Sequence, residues 1–231
     1  MRQRSPNLSN KTLTGLIFIA ILSQWSPLSN AMPPPPNEIE QQKAALEKVE
    51  KSSFDTFKLN YQVLSETPGT PIKIYIAPTS LEFQKRWLRE RRTDLTKSYL
   101  ENTAERYQSV FDQEMKQAFS KKTEFQIVED ANEALWLITP AVSDLIIHGP
   151  DVGIGKTTYV QNAGEAKLTV HINNTSGNEV AFVEDRRETR QRGLVKPEKT
   201  SRIFNQRDFR YLFDNWSDSL AKALANSLNG N

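Results

Sequence analysis

The sequence predicts an α+β fold: a single mostly antiparallel mixed sheet with two long helices packed on one face. Three observations predict it. First, apolar and polar residues alternate strictly, with Ala166, Leu168, Val170 and Ile172 on one side and Glu165, Lys167, Thr169 and His171 on the other. Period-two alternation is the pattern of a strand with one buried and one wet face. Second, the turn Asn173-Asn174-Thr175-Ser176-Gly177-Asn178 leads into another apolar run, Val180 to Val183. The stretch from Tyr159 to Arg187 therefore reads as a long antiparallel hairpin, with Gly177 supplying the positive φ of its turn. Third, two long segments, 93–121 and 205–228, carry apolar side chains at three- and four-residue steps, as helices with one buried stripe do.

Residues 1–31 read as a signal peptide. Arg2, Arg4 and Lys11 give a positive start, Leu13 to Leu22 is apolar, and Ser29-Asn30-Ala31 has small residues at the positions a signal peptidase reads. The uncharged run is shorter than the roughly 20 residues a span needs. Cleavage is expected after Ala31, with the product in the periplasm. The sequence holds no cysteine, so neither an acylated cysteine, a disulfide nor a thiolate metal or redox site is expected. The leader carries three of the 30 basic residues and none of the 28 acidic ones, leaving 27 against 28, a net charge of −1. The basic character of the whole chain thus comes from the leader and is no sign of nucleic-acid affinity.

Residues 32–53 read as a spacer. Pro33-Pro34-Pro35-Pro36 favours an extended, solvated chain, and Glu38 to Glu50 is a weakly apolar helix or arm. A single αβ domain is expected over 54–231, with Phe54, Phe57, Tyr61 and Leu64 tucked onto its core. Thr67-Pro68-Gly69-Thr70-Pro71 is a turn. Ile72 to Ile76 alternates as a strand that Pro78 stops. Leu81 to Leu88 fits an extended edge or a short helix equally. Thr93 can cap the long helix that follows, in which Met115 is read as core filling. Phe125 to Val128 is a short strand and Asp130 to Glu133 a turn. Two apolar runs, 134–138 and 141–147, are separated by Thr139-Pro140, and the proline argues for a bulge or an edge there. In the last helix Asn205 is a good cap, Asp208 suits the first turn, and Trp216 is a core anchor.

Two stretches invite a functional reading. Gly149 to Thr158, with Gly155-Lys156-Thr157, looks like a nucleotide phosphate loop. The spacing fails, because position 150 is proline where the first glycine should stand. The context fails too, because Thr157 to Ile172 reads as strand where the loop requires a helix. Nucleotide binding is therefore not expected. From Arg186 to Arg202 the chain is most basic, with Arg186, Arg187, Arg190, Arg192, Lys196, Lys199 and Arg202 against Glu188 and Glu198. Arg186, Arg187, Arg190 and Arg192 are candidate anion-binding residues, since guanidinium groups grip phosphate or carboxylate bidentately. The competing reading is a solvated loop. Nucleic acid is disfavoured by export and by the lack of interleaved aromatics.

The residues Ile74-Tyr75-Ile76-Ala77-Pro78, Gly164-Glu165-Ala166, Ser176-Gly177, Val183 to Arg187 and Phe213-Asp214-Asn215-Trp216-Ser217 give the chain a resemblance to a bacterial envelope family. That family is an uncharacterised domain of unknown function, often a lipoprotein, and the resemblance covers about 54–228. It implies a small αβ envelope domain with helices on one face of a mixed sheet, and it implies no catalytic residue. The chain departs from the lipoprotein members in lacking the acylated cysteine.

Taken together, these readings predict an exported, non-catalytic interaction or accessory domain of an envelope assembly, with another envelope protein as partner and no cofactor or metal. Membrane-surface contact is compatible with them. An anionic-ligand or lipid-head-group binder is the alternative. A hydrolase is the second, resting on His148 and His171, the sequence's two histidines. Neither a Gly-x-Ser-x-Gly elbow nor a His-Glu-x-x-His pair accompanies them.

Overall fold

The computed structural model describes residues 54–65, 69, 71–149, 159–190, 198–199 and 201–229. The stretches read above as leader and proline spacer, residues 150–158 and Arg192 lie outside these residues. The chain runs β1 (Thr56–Leu59), α1 (Tyr61–Ser65), β2 (Ile72–Ile76), β3 (Ser80–Phe83), α2 (Lys85–Glu90), α3 (Lys97–Ser120), β4 (Phe125–Ile127), β5 (Trp136–Ile147), β6 (Tyr159–Val160), β7 (Gly164–Asn174), β8 (Glu179–Glu188), β9 (Glu198–Lys199) and α4 (Arg202–Asn229).

The main sheet has seven strands in the order β1-β8-β7-β5-β2-β4, with β3 also paired to β5. The β5–β7–β8–β1 half is antiparallel, whereas β2 runs parallel to β4 and β5, and β3 runs parallel to β5. The fold is thus α+β with a mixed sheet. The alternation read in the sequence sets its faces: Ala166, Leu168, Val170 and Ile172 are fully buried, and His171 on the opposite side is exposed. The turn is closed by Asn174, whose Oδ1 accepts from Ser176 N at 3.0 Å and Asn178 N at 2.9 Å, and Gly177 takes φ 81°.

Several local expectations are corrected. Tyr159 and Val160 do not extend the hairpin; they form β6 and pair with β9 in a separate two-stranded ribbon. Thr56 to Leu59, not read as extended in the sequence, adds an edge strand to β8. Leu81 to Leu88 is both of the alternatives in succession, β3 and then α2. The long helix starts at Lys97, not after Thr93, because the Thr96 side chain accepts from Tyr99 N at 3.1 Å and caps it there. The last helix begins at Arg202, and Ser201 Oγ accepts from Phe204 N at 3.3 Å. Asn205 therefore lies inside the first turn, buried, where its Nδ2 donates to Gly149 O at 3.3 Å and straps the end of β5 to α4.

Pro140 is neither at an edge nor at a bulge. It sits inside the continuous central strand β5, opposite Val170. Residues two apart in a strand turn their N–H and C=O to the same edge. Ile138 O accepts from Ala77 N at 2.9 Å, so that edge faces β2. At Pro140 the same edge meets the junction where β2 has ended at Ile76 and β3 has not begun at Ser80. The missing N–H thus removes no ladder bond. The register shift comes later, between Ser143 and Ile146, where Asp144 takes φ 52°.

Helices α3 and α4 run side by side in the same direction over one face. Tyr107 meets Phe209 with ring centroids 5.0 Å apart, Phe111 meets Phe213 at 5.1 Å, and Lys121 pairs with Asp218 at 3.5 Å. Phe111, Met115, Phe119, Phe209, Phe213 and Trp216 are all essentially inaccessible. Each large side chain so buried contributes about 1.5–3 kcal/mol, and each well-oriented aromatic pair adds about 0.5–1.5 kcal/mol. Phe54 and Leu64 join the same core, as expected. Among the described residues no element covers the other face of the sheet. It carries a lattice of cross-strand pairs, such as Lys167 with Glu184 at 2.7 Å and His171 with Glu179 at 3.2 Å. No described helix is long and apolar enough to cross a membrane.

Tyr107 gives this packing a pH signature. Burial, with a smaller push from Tyr99, raises its phenol well above the ordinary value of 10.0. The raised folded value makes that stabilisation fully present below the ordinary tyrosine pKa and lost as pH rises from there through the folded value. Denaturant unfolding measured from pH 8 to pH 11.5 is expected to lose stability above about pH 10. Tyr107→Phe is expected to flatten that decline, and an unchanged slope in the variant would refute the assignment.

Candidate functional site

Three of the four candidate arginines, Arg186, Arg187 and Arg190, lie near one corner of the sheet, where β5 ends, β7 begins and β8 ends. Glycine makes the corner. Gly164 takes φ 149°, and a β-carbon there would overlap the Ile146 carbonyl oxygen and meet Phe209 Cζ at 2.9 Å. The bare backbone lets β7 pass between the β5 bulge and α4. Thr189, buried, locks the passage. Its Oγ1 accepts from Ala163 N at 2.8 Å and Gly164 N at 3.1 Å, and its own N donates to Gly164 O at 2.8 Å.

Arg186 lies on the open face of the sheet. It pairs with Asp144, which the bulge turns toward it, and with Glu165 at 3.6 Å. Arg187 points the other way, toward the core. Its Nε lies 2.6 Å from Asp185 Oδ2, and its guanidinium stands 5.8 Å from the Phe54 ring centroid. Arg190 is exposed just beyond β8. The three described arginines therefore do not converge. Two occupy opposite faces of one strand with carboxylates at hand, one faces solvent, and Arg192 is outside the described residues.

Asp185 is the polar centre beneath the corner. Its side chain is 3% exposed. Oδ2 also accepts from Trp216 Nε1 at 2.6 Å, and Oδ1 accepts from Asp55 N at 3.1 Å. Asp55 returns the contact, its Oδ2 accepting from Arg186 N at 3.0 Å. One carboxylate thus joins β8, the chain entering β1, and α4. A buried carboxylate is tolerable only when its oxygens are satisfied in this way. Sequence reasoning passed over Asp185. Its signal was the period: it stands two residues beyond Val183, in core register, where a carboxylate has no place unless it is partnered.

A second polar chain lies at the surface of the same corner. Asn162 Nδ2 donates to Glu188 Oε2 at 2.9 Å, and Asn162 Oδ1 lies 2.7 Å from His148 Nδ1. A carboxylate can only accept, so the amide must present its oxygen to the ring. The ring then carries its proton on Nδ1 and leaves the Nε2 lone pair free. His148 is exposed. His171 is not part of this chain. It stands on the open face beside Phe182, ring centroids 5.0 Å apart, roughly 25 Å further along β7 at about 3.3 Å per residue. The two histidines do not meet. Among the described residues no group of three or more His, Cys, Asp or Glu side chains is placed to hold a metal ion.

Two shallow depressions stand out among the described residues, one away from the corner and one bordering it. One, of about 250 Å³, is lined by Tyr75, Pro78, Asp112, Lys116 and Glu129. Asp112 there accepts from Thr79 N at 3.0 Å and Thr79 Oγ1 at 2.5 Å, which holds the β2–β3 connection to α3. The other, of about 470 Å³, lies between α2 and the β5 bulge.

No family model and no curated protein matches the chain. Among solved structures it is similar to a PelC dodecamer from Paraburkholderia phytofirmans, at 10% identity and TM-score 0.34 over 71% of this chain and 97% of that one. It is also similar to protein XCC0632 from Xanthomonas campestris, of the family DUF330, at 7% identity and TM-score 0.39 over 71% and 90% of the respective chains. Both scores are below 0.5, and neither likeness carries an argument about activity or partner.

The carboxylate network has a direct test. Asp185→Ala leaves Trp216 Nε1 and Asp55 N without this acceptor and removes the carboxylate beside Arg187. It is expected to cost about 3 kcal/mol or more in denaturant unfolding, the magnitude of breaking a buried pair. A loss below about 1 kcal/mol, the ordinary effect of a surface substitution, would contradict the reading.

Proposed function

We propose that the chain is an exported, non-catalytic interaction domain of an envelope assembly. The observation that carries this reading is the division of labour across the sheet. One face is wholly given to the core under α3 and α4. The other is left open, and its polar side chains are paired with one another: Lys167 with Glu184, Arg186 with Asp144 and Glu165, His171 with Glu179. Such a lattice gives a rigid, patterned surface of both charge signs, suited to recognition by complementarity. The leader and proline spacer of the sequence support delivery to the envelope and a standoff from whatever precedes the domain. Another envelope protein is the partner this reading implies.

An anionic ligand at the corner is the second reading, favoured by exposed Arg190 beyond β8. The histidine chain through Asn162 is the feature that favours a hydrolase, because it holds an imidazole with Nε2 free. Among the described residues no nucleophile that such a base would activate stands among its hydrogen-bond partners.

A photo-crosslinking amino acid placed at Thr139 or Thr169 on the open face, in the full chain expressed in its own cells, tests the reading. Discrete adducts with an envelope protein are expected from these positions and not from Lys222 on α4. The absence of adducts from the open face, together with a hydrolytic activity abolished by His148→Ala, would overturn it in favour of catalysis.

A further inference from the structure

Four of the five large apolar side chains exposed among the described residues lie at one end of the molecule, away from the open sheet face: Tyr159 at 63% exposure, Ile203 at 76%, Phe204 at 37% and Tyr211 at 52%. Three of them are on the first turns of α4. The exposed residues of that helix from Arg202 to Tyr211 are Arg202, Ile203, Phe204, Arg207, Arg210 and Tyr211. They are three arginines, an isoleucine and two aromatic rings, with no exposed carboxylate. The acid within the stretch, Asp208, is buried, with its Oδ1 3.6 Å from Arg207 Nε. Positions 203, 207 and 211 are successive four-residue steps, and Phe204 and Arg210 each lie three residues from Arg207, so these five side chains form one continuous stripe, with Arg202 ahead of it at the helix start. The Arg207 guanidinium stands 5.1 Å from the Phe204 ring centroid. Arg210 is anchored at its base, its Nε donating to Glu114 Oε1 at 2.7 Å. β6 brings Tyr159 opposite Lys199, three residues before the helix starts.

We infer that this stripe docks the protein on the surface of an anionic bilayer, with α4 lying in the plane of the head groups. The chemistry singles out that occupant. Ile203 is the most exposed large aliphatic side chain of the fold, and tyrosine and phenylalanine settle where hydrocarbon gives way to head groups. Arginine keeps its charge among lipid phosphates while its stem lies along apolar chains. A helix with cations and apolar side chains on one solvent face and its reverse face in a folded core matches an interfacial helix, not a spanning one. The sequence holds no cysteine to acylate, so contact with lipid falls to side chains. A protein partner for such a stripe would have to present an acidic surface, and a second copy would set arginine against arginine.

Protein expressed from the full-length chain and purified in its processed form is sedimented with vesicles of phosphatidylcholine alone or mixed equally with phosphatidylglycerol. Binding is expected to the anionic vesicles and to fall at least tenfold in the double variants Ile203→Ser/Tyr211→Ser and Arg202→Gln/Arg207→Gln. It is also expected to weaken between 50 and 300 mM salt. The substituted positions are exposed, and thermal melting of each variant checks that the fold is kept. No binding, or binding that both double variants leave intact, overturns the inference. So does lipid-free self-association abolished by Ile203→Ser/Tyr211→Ser, which would make the stripe a contact between copies. The assay contains no envelope protein, so its failure is separate from failure of the interaction reading.

Discussion

The architecture turns on one buried carboxylate. Three segments far apart in sequence, the entry to β1, the end of β8 and the middle of α4, meet at Asp185. Each brings a donor to it. Hydrophobic burial alone does not choose among the ways an amphipathic helix can slide or rotate on an apolar sheet, because it has no direction. The bond from Trp216 Nε1 to Asp185 does have direction, and it fixes the depth and rotation of α4. The aromatic packing of Phe209, Phe213 and Trp216 against α3 then follows from that placement. The pleat of β8 sends Arg186 and Arg187 to opposite faces, and their charges are answered by different acids.

Much of the fold was legible because the physics that sets it is periodic. The alternation from Glu165 to Ile172 gave the face of β7, the stripe from Leu100 to Phe119 gave the face of α3, and Asn174 with Gly177 marked the turn. What escaped was set by single bonds. Thr96 and Ser201 cap the two helices where Thr93 and Asn205 had seemed suitable, and the choice depends on which side chain the preceding loop brings to the first free N–H. Pro140 was misjudged because a proline in a central strand reads as a lost ladder bond. Only the topology, with β2 ending and β3 starting beside it, shows that no bond was there to lose. β1 was missed because four residues without clean alternation carry too little pattern, and its place comes from Asp55 and Asp185 exchanging bonds with the neighbouring strand.

The corner was legible in part. A block of arginines was visible, and its charge suggested an anion. The structure shows the residues that give the block its local context: Asp144 turned out by a bulge, Glu165 across the ladder, and Asp185 in core register. Asp144, the partner of Arg186, lies 42 positions away in sequence, where no spacing rule reaches, whereas Asp185 stands two residues from Arg187 on the same face of β8. The surface stripe on α4 was hidden for the opposite reason. The buried stripe dominates the helical pattern, and Ile203, Phe204 and Tyr211 read as further apolar residues until the core is known to be complete without them.

The most direct test of the Asp185 anchor is hydrogen exchange of the indole N–H groups, followed by NMR. Trp216 Nε1 is bonded to Asp185 at 2.6 Å, whereas buried Trp87 Nε1 has no hydrogen-bond partner among the described residues and serves as the internal comparison. The anchor predicts that the Trp216 indole proton exchanges as slowly as the most protected backbone amides of β7, opening only when the fold as a whole opens. Exchange of Trp216 as fast as that of Trp87, while β7 stays protected, would show that α4 is held by packing alone and that the carboxylate is not its anchor.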